Sequence, residues 1–231
     1  MRRAVIICGS KIEDYDFIKS YLRIDDYFIC CDSGLSHIKK LGIRNPDLII
    51  GDFDSHEQPD MDDFPAGEMI VLPRAKDDTD SVYAVKEALK RDFDEILMIG
   101  ALGKRIDHGL VNIHTLLYLF ERGIDAMIVD DYSEMELIGL RDNTAPLEKS
   151  EEEMQDAATA EVTNEWEYFS LIALDGDAKG VTIKGAKFNL DNATITSDYQ
   201  YATSNEVAGD GPAEISVKEG KLLLVRVRPG C

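Results

Sequence analysis

The chain contains 231 residues with a formal net charge of −20, and 44% of its residues are hydrophobic. This length and apolar content are enough to bury a core, which excludes a globally disordered chain. The excess of acidic residues argues against non-specific binding to nucleic acid, because phosphate contacts need Lys and Arg. An acidic protein that handles a phosphate compound needs cations to bridge the like charges.

In the first half of the chain, short apolar runs alternate with helical patterns. The apolar runs predict strands at 4–9, 27–32, 47–52, 68–73, 95–100 and 125–130. Between them, the spacing of apolar residues predicts helices at 12–23, 33–42, 79–91 and 107–122. Continuous apolar strands that alternate with amphipathic helices indicate a mostly parallel sheet covered on both faces. We therefore expect a doubly wound α/β domain at residues 1–140.

The pattern changes after residue 140. Residues 142–167 hold nine acids against one base, Lys149, and few apolar residues, which predicts an acidic, solvated linker or insertion at 141–166. From Tyr168 on, short alternating segments are separated by Gly, Asp and Asn turns. This pattern predicts a smaller antiparallel all-β domain, a sandwich or roll, at residues 167–231.

The four cysteines indicate a reducing compartment. Cys8, Cys30 and Cys31 lie in apolar runs, where reduced core cysteines are expected. No two of the four cysteines, the fourth being Cys231, have the C-x-x-C spacing of a zinc site. The apolar run at the N-terminus is too short for a signal peptide, and no stretch approaches the roughly 20 apolar residues of a membrane span. We therefore expect a cytoplasmic protein that binds neither a membrane nor nucleic acid.

Polar, glycine-containing segments follow the first five predicted strands. In a parallel α/β sheet, ligands bind beyond the carboxyl ends of the strands, so these segments are expected to lie along one edge. Carboxylates follow strands two to five, and this coincidence is the informative part. The segments are Gly9–Ser10, Asp32–Gly34, Gly51–Ser55, RAKDDTD at 74–80 and GALGKRIDH at 100–108.

The acids after the third and fourth strands predict a metal site. Asp52 and Asp54 are separated only by Phe53, and two carboxylates about 4 Å apart repel by roughly 4 kcal/mol at an effective dielectric of about 20. Asp77 and Asp80 reach the same point if the two strands are neighbours. Hard oxygen ligands suit Mg²⁺, which binds one or two carboxylates together with substrate phosphates. Helix capping is the alternative for the acids at 77–80, but it does not explain a pair at a strand end.

The segment at 100–108 has the properties of an anion-binding loop. Its glycines let the backbone approach a ligand, its Lys104 and Arg105 can hold phosphate, and the following helix offers its N-terminal amides. His108 and Asn112 are four residues apart and share a helix face. We interpret His108 as a ligand-orienting residue, with hydrogen bonding or capping as the alternative. The segment does not match the P-loop pattern G-x-x-x-x-G-K-[ST].

Taken in order, these motifs resemble those of a known family. GDFDS, KDDTD and GALGKRIDH followed by Asn112 look like the motifs of thiamine pyrophosphokinases. The second half, with FSLIAL, GVTIKGAKFNL, ATSNE and VKEGKLLLV, is similar to the thiamine-binding domain of that family. The resemblance covers nearly the whole chain apart from about 141–166. Lys104 stands where the family usually has glycine, and Ser33 where glycine is common.

The resemblance implies transfer of a pyrophosphoryl group from ATP to the hydroxyethyl oxygen of thiamine, giving thiamine diphosphate and AMP. It also implies a homodimer with active sites formed between subunits, so that the second domain serves the partner's site. An aspartate, Asp54 or Asp80, is a candidate for accepting the hydroxyl proton, and activation of the hydroxyl by the metal alone is the alternative. The implied residues are Asp52, Asp54, Asp77 and Asp80 for Mg²⁺ with Thr79 assisting; Lys76 and Arg105 for phosphate; Gly100, Gly103, Asp107, His108 and Asn112 for the nucleotide; and Asp32, Ser204 and Asn205 for thiamine.

Other functions stay open at the level of the residues. A diphosphokinase for another small alcohol, such as a hydroxymethylpterin, needs similar phosphate machinery and a different acceptor pocket; the SNE segment at 204–206 argues against it. A metal-dependent phosphatase with DFD as its nucleophile motif usually carries D-x-D-x-[TV] after the first strand, whereas here the motif follows the third. A non-catalytic nucleotide sensor is the alternative from another class.

Overall fold

The computed structural model describes residues 1–53, 67–75, 77–141 and 157–230. The chain divides into two compact units, which we call the α/β unit, Met1–Asp131, and the β unit, Tyr132–Cys231. Each unit has a hydrophobic core of its own, so each is described by itself.

The described part of the α/β unit contains six parallel strands: β1 (Arg3–Ile7), β2 (Tyr27–Cys31), β3 (Leu48–Gly51), β4 (Glu68–Val71), β5 (Glu95–Ile99) and β6 (Asp125–Val129). Their order across the sheet is β4-β3-β2-β1-β5-β6. Every residue of β1 and β3 is buried, because the central strands of a parallel sheet are covered on both faces. This explains why the strands read as continuous apolar runs.

The helices in the described part of this unit are α1 (Tyr15–Ser20), α2 (Leu35–Leu41), α3 (Asp80–Lys90) and α4 (Ile106–Phe120). Ile18 of α1 and Ile38 of α2 pack on one face of the sheet, against a core that includes Val5. Ala4 and Ile6 point to the opposite face and are completely buried, and α3 packs against β1, β2 and β3. None of the described helices has the length and apolar character needed to cross a membrane.

The described part of the β unit contains seven strands: β7 (Ser133–Gly139), β8 (Ala158–Val162), β9 (Tyr168–Ile172), β10 (Ala178–Lys184), β11 (Leu190–Ile195), β12 (Ala213–Val217) and β13 (Lys221–Val227). They form two antiparallel groups, β7-β13-β9 and β11-β10-β12-β8. Side chains from both groups, such as Leu171, Ile183 and Leu222, fill one shared core. The unit is therefore a β-sandwich.

A buried arginine ties the two groups of the sandwich together. Arg226 on β13 is 8% exposed, and its guanidinium lies 2.8 Å from Glu134 and 2.7 Å from Glu136 on β7. It also donates a 3.2 Å hydrogen bond to the carbonyl of Glu161 on β8. A buried charge of this kind needs all of its partners, because an unpaired charge in a core is strongly destabilising.

The architecture confirms the predicted fold class, a doubly wound parallel α/β domain followed by a smaller antiparallel β domain. The bounds that the sequence predicted, 1–140, 141–166 and 167–231, differ from the observed division after Asp131. The reason is that β7 pairs with β13 and β8 pairs with β12, so both belong to the β unit. Residues 142–156 of the predicted linker lie outside the described residues.

Candidate active site

The strand order places the polar segments along one edge of the α/β unit. Strands β2, β3 and β4 are added on one side of β1, and β5 and β6 on the other. The strand order therefore reverses between β1 and β5. Crevices at such reversals are the usual ligand sites of open α/β sheets. Here the segments after β1 and β5 are joined by hydrogen bonds from Cys8 N–H to the Ile99 carbonyl and from Ser10 N–H to the Gly100 carbonyl, both 2.9 Å.

Gly100 and Gly103 let these two segments approach each other closely. Gly100 has a φ of +59°, and a Cβ at this position would lie 2.7 Å from the carbonyl oxygen of Cys8. A Cβ at Gly103 would lie 2.4 Å from the Oγ of Ser10. The close approach at both glycines is therefore to the Cys8–Ser10 segment, a packing requirement that holds whether or not a nucleotide binds.

Three of the predicted acids lie at the ends of β2, β3 and α3. Asp32 directly follows β2, is 8% exposed, and packs so closely on Gly51 that a Cβ there would lie 2.5 Å from its own Cβ. Asp52 directly follows β3 and is half-buried. Hydrogen bonding to Cys8 and burial raise the pKa of the Cys31 thiol, and the nearby Asp80 raises it further. Asp80 begins α3, which packs against β1, β2 and β3.

The chain turns sharply after Asp52. Phe53 has a φ of +50°, a left-handed conformation that is unusual for a bulky residue and persists when the surroundings impose it. Asp54, the second acid of the DFD motif, and Lys76 lie outside the described residues.

The donor set suits Mg²⁺ in its chemistry. Within residues 1–53, 67–75, 77–141 and 157–230, no group of three or more His, Cys, Asp or Glu side chains is placed to hold a metal. Mg²⁺ does not require such a cage, because it binds one or two carboxylates and completes its octahedron with water and phosphate oxygens. Asp52 and Asp80 are half-buried hard oxygen donors, whereas Asp77 is exposed.

A buried hydrogen-bond network connects the start of α3 to the loop after β5. Thr79 caps α3 by accepting a 3.4 Å hydrogen bond from Val82 N–H, and its hydroxyl is 2.9 Å from that of Ser81. Ser81 donates to Asn112 Oδ1, and Asn112 Nδ2 donates to the Ala101 carbonyl, both at 2.7 Å. Asn112 is 4% exposed. Its side chain therefore joins two elements of the edge, a role that the spacing of His108 and Asn112 did not predict.

The loop between β5 and α4 presents its charges to solvent. Arg105 forms a two-pronged ion pair with Asp107, at 2.9 and 2.6 Å, although the two side chains are 68% and 64% exposed. The Arg105 guanidinium holds the pKa of Asp107 well below its usual range. Lys104 and His108 are also exposed. A phosphate group that reaches this loop meets cations that are still largely hydrated and accessible.

In the β unit, the SNE segment is held by its main chain. Ser204 is exposed, has a φ of +54°, and its N–H donates a 3.0 Å hydrogen bond to Ser170 Oγ. Asn205 is 3% exposed, and its main chain exchanges two 2.8 Å hydrogen bonds with Phe169. Ser204 is therefore open to solvent, whereas Asn205 is turned into the protein.

Sequence reasoning missed Phe188 and Ser81. The Phe188 side chain is 60% exposed, although its main chain is hydrogen-bonded to the buried Asn205 side chain at both the N–H (3.0 Å) and the carbonyl (2.8 Å). A phenylalanine in a turn between two strands is the signal that points to it. Ser81 carried no signal, because its role depends on Asn112, which lies 31 residues further along the chain.

The fold and the site together define a class of protein. A doubly wound α/β unit brings carboxylates and a cationic glycine-containing loop to one edge of its sheet, and a separate β-sandwich follows it. This combination is that of an enzyme that handles a phosphorylated nucleotide at the α/β unit and carries a second module for another substrate.

Family models match both units. The model described as "Thiamin pyrophosphokinase, catalytic domain" matches residues 18–128, and the one described as "Thiamin pyrophosphokinase, vitamin B1 binding domain" matches residues 158–222. The chain therefore belongs to the thiamin pyrophosphokinase family, which makes it an enzyme of this type.

Relatives support this assignment over the full length. A thiamine pyrophosphokinase from Bacillus subtilis (strain 168) is 25% identical over 228 residues, which cover 98% of this chain and 99% of the relative. A crystal structure of the Bacillus subtilis enzyme has a TM-score of 0.80 and 24% identity, covering 98% and 99% of the two chains. The thiamin pyrophosphokinase from Candida albicans has a TM-score of 0.71 at 14% identity, covering 98% and 89%. At these identities the structures show a shared fold.

Proposed function

We propose that the protein transfers a pyrophosphoryl group from ATP to the hydroxyethyl oxygen of thiamine, producing thiamine diphosphate and AMP. The observation that carries the proposal is the match of both units, in order, to the catalytic and vitamin B1-binding models of one family. The position of the carboxylates and of the cationic loop at the carboxyl edge of the α/β sheet supports it.

The proposed reaction forms a bond between the thiamine oxygen and the β-phosphorus of ATP and breaks the bridge between the α- and β-phosphates. The bridging oxygen leaves with AMP, and Asp54 or Asp80 accepts the hydroxyl proton. Catalysis of such a transfer consists mainly of charge neutralisation and in-line positioning. The protein's contribution is therefore to hold the triphosphate between its acidic and cationic segments.

The proposed roles follow from the charges along the edge of the sheet. Asp52, Asp54, Asp77 and Asp80 would hold Mg²⁺, with Thr79 assisting; when bound, this ion neutralises the charge on the phosphates. Lys76 and Arg105 would meet the phosphate oxygens, the latter after exchanging Asp107 for a phosphate. The nucleotide would be lined by Gly100, Gly103, Asp107 and His108. Asn112 would hold the loop after β5 in place through its bond to the Ala101 carbonyl.

On the acceptor side, we propose that Asp32 and Ser204 contact thiamine and that Phe188 stacks on one of its rings. An exposed aromatic side chain on an anchored main chain suits a flat heterocycle, because stacking needs a ring held at a defined position. Ser204 supports this placement, since it is exposed one residue away from Asn205, which holds Phe188.

We further propose a homodimer with active sites formed between subunits. An exposed apolar stripe on α4 supports it: Ile106 is 74%, Leu110 54%, Val111 42% and Tyr118 37% exposed. A cavity of about 450 Å³ lies between α3 and α4 and shares Leu110, Val111 and Tyr118 in its lining. Contiguous exposed apolar residues usually mark an interaction surface. Light scattering should show a dimer that Leu110→Asp dissociates, whereas Ile24→Asp, at an isolated exposed position, should leave it intact.

The test of the reaction is a product assay with purified protein, ATP, Mg²⁺ and thiamine. AMP and thiamine diphosphate should form together, and Asp52→Asn should lower the rate by at least about 100-fold. Asp92→Asn is the matched control, because Asp92 is an exposed acid just before β5, at the other end of the strand. ADP with thiamine monophosphate would indicate a single-phosphoryl kinase, and no thiamine-dependent turnover would overturn the proposal.

The cysteines in the described part of the chain are reduced, which is typical of proteins in a reducing compartment. Cys8, Cys30 and Cys31 are buried free thiols, and burial raises the pKa of Cys30, which makes its thiol less reactive. On this support we propose that the enzyme works in the cytoplasm.

A further inference from the structure

The hydrogen bonds of Asn205 leave almost no capacity for a ligand. Its Oδ1 accepts from the N–H groups of Phe188 and Glu206, both at 3.0 Å, and its Nδ2 donates to the Phe188 carbonyl at 2.8 Å. Its main chain is paired with Phe169 in both directions. A primary amide has two donor hydrogens and two acceptor lone pairs, so a single donor hydrogen remains. Because the residue is 3% exposed, direct contact with a substrate is disfavoured.

The Asn205 side chain bonds both the N–H and the carbonyl of Phe188, as a neighbouring β-strand does. The Asn205 amide supplies an acceptor and a donor at the spacing that the N–H and carbonyl of one residue require. Adjacent bonds reinforce the grip: Lys187 N–H donates to the Glu206 carbonyl at 2.8 Å, and the Lys187 ammonium pairs with the Glu206 carboxylate at 2.7 Å. Residues 187 and 188 are therefore fastened to residues 205 and 206 by both main-chain and side-chain bonds.

The bonds of the Asn205 amide fix the main chain of Phe188 without burying the Phe188 ring. The buried amide anchors a residue whose own side chain is 60% exposed, so the clamp does not serve to bury the aromatic ring. A large apolar side chain that is held at a fixed place and left in solvent is typical of a binding surface. The anchored ring suits a flat aromatic or cationic heterocycle, which describes both rings of thiamine.

We propose that Asn205 is a positioning residue: it acts on thiamine through Phe188, whose ring it holds in place, and does not itself contact thiamine. This inference rests on the proposed function, and it replaces the direct contact that the sequence motif implied. Asparagine suits the position because aspartate lacks the donor for the Phe188 carbonyl and alanine lacks both groups.

A double-mutant cycle tests the proposal. Asn205→Ala, Phe188→Ala and the double variant are compared with the wild type in thiamine affinity by calorimetry, in KM for thiamine and ATP, and in Tm. Each single change should weaken thiamine binding about 10-fold, the size expected for a lost or misplaced stacking partner. In the Phe188→Ala background, Asn205→Ala should have no further effect on thiamine. The KM for ATP should stay constant in all variants.

Gln200 provides a matched control. Its Oε1 accepts from Ala173 N–H at 3.0 Å and its Nε2 donates to the Ala173 carbonyl at 3.1 Å, so it clamps a main chain in the same way. Gln200→Ala should lower Tm and leave thiamine affinity unchanged. If Asn205→Ala does not fold, Asn205→Asp takes its place, since it keeps the acceptor and removes the donor to Phe188.

The outcomes separate the possible roles of Asn205. Effects that multiply in the double variant would show that Asn205 contacts thiamine independently of Phe188 and would overturn the proposal. A lower Tm with unchanged thiamine affinity would overturn it in favour of a purely structural role. The proposed function fails in a different way, because wild-type protein would then produce no thiamine-dependent AMP.

Discussion

Two buried asparagines, one in each unit, show that the two units order their candidate binding segments in different ways. Asn112 in the α/β unit is 4% exposed and Asn205 in the β unit is 3% exposed. Asn112 joins a side chain on α3 to a carbonyl in the loop after β5, so it sets the distance between two elements. Asn205 grips a single residue of one turn. The proposed phosphate site depends on where several segments lie, whereas the proposed ring stacking depends on one side chain.

The largest effect is expected from removing Arg226, the buried arginine on β13 of the β unit. Arg226→Met leaves the buried Glu134 and the half-buried Glu136 without their shared cation. We expect the free energy of unfolding to fall by about 4 kcal/mol and Tm by about 10 °C, measured by urea and thermal denaturation. Adding Glu134→Gln and Glu136→Gln should restore part of this loss; a triple variant no more stable than the single one would contradict the explanation.

A smaller loss is expected from Asn112→Leu. The change leaves the buried Ala101 carbonyl without this donor, at about 1 to 3 kcal/mol, while the Ser81 hydroxyl keeps the Thr79 hydroxyl as a partner. Since it also loosens the start of α3 from the loop after β5, the KM for ATP should rise while that for thiamine stays constant. This is the opposite of the pattern expected for Asn205→Ala. Ser81→Ala, which removes one of the two bonds, is the milder control, and equal effects on both substrates would count against the distinction.

Arg105→Ala tests an exposed residue of the α/β unit, where ATP binding should change and stability should not. Because Arg105 and Asp107 are mostly exposed, stability should change by less than about 0.5 kcal/mol. The KM for ATP should rise about 10-fold, since a charge-assisted hydrogen bond to phosphate is lost. Asp107→Asn removes the ion pair but keeps the arginine, so it should raise the KM for ATP less than Arg105→Ala does. A large loss of Tm in Arg105→Ala would mean that the ion pair is structural.

The smallest expected effect is a pH dependence of stability that belongs to the α/β unit. Burial lowers the pKa of His37 and Lys40 lowers it as well, while the Ser10 carbonyl and Asp131 act in the opposite direction; Tyr15 is hydrogen-bonded to its Nδ1. The unfolded chain binds the proton more tightly, so stability should fall as pH drops below about 6.5. His37→Gln should flatten Tm between about pH 7.5 and about 5.5; an unchanged slope would assign it to other groups.

Much of the fold was predictable because the signals are local. The continuous apolar runs from β1 to β6 and the helical spacing between them identified each element within a few residues of its observed bounds. The strands β7 and β8 were missed because Glu134, Glu136 and Glu161 interrupt their apolar character. The glutamates of β7 belong to a strand because Arg226, far away in sequence, neutralises them.

The candidate site was predictable as a set of segments and less so as a set of contacts. That the acids and the cationic loop follow neighbouring strands is implied by their order in a parallel sheet. Their orientation is not: Asp107 faces Arg105, and Asn112 faces Ser81. Helical spacing shows that His108 and Asn112 share a face, but it does not show that one is exposed and the other buried.

The sequence by itself determined the class of fold, the family and the segments that form the edge of the sheet, because these depend on periodicity and on the order of short motifs. The tertiary structure alone decided which polar side chains are available to a ligand. Asn205 and Phe188 have the chemistry of a ligand contact and of a core residue, yet the amide is buried and the ring is exposed. Burial and hydrogen-bond partners are set by residues distant in the chain, and no local pattern records them.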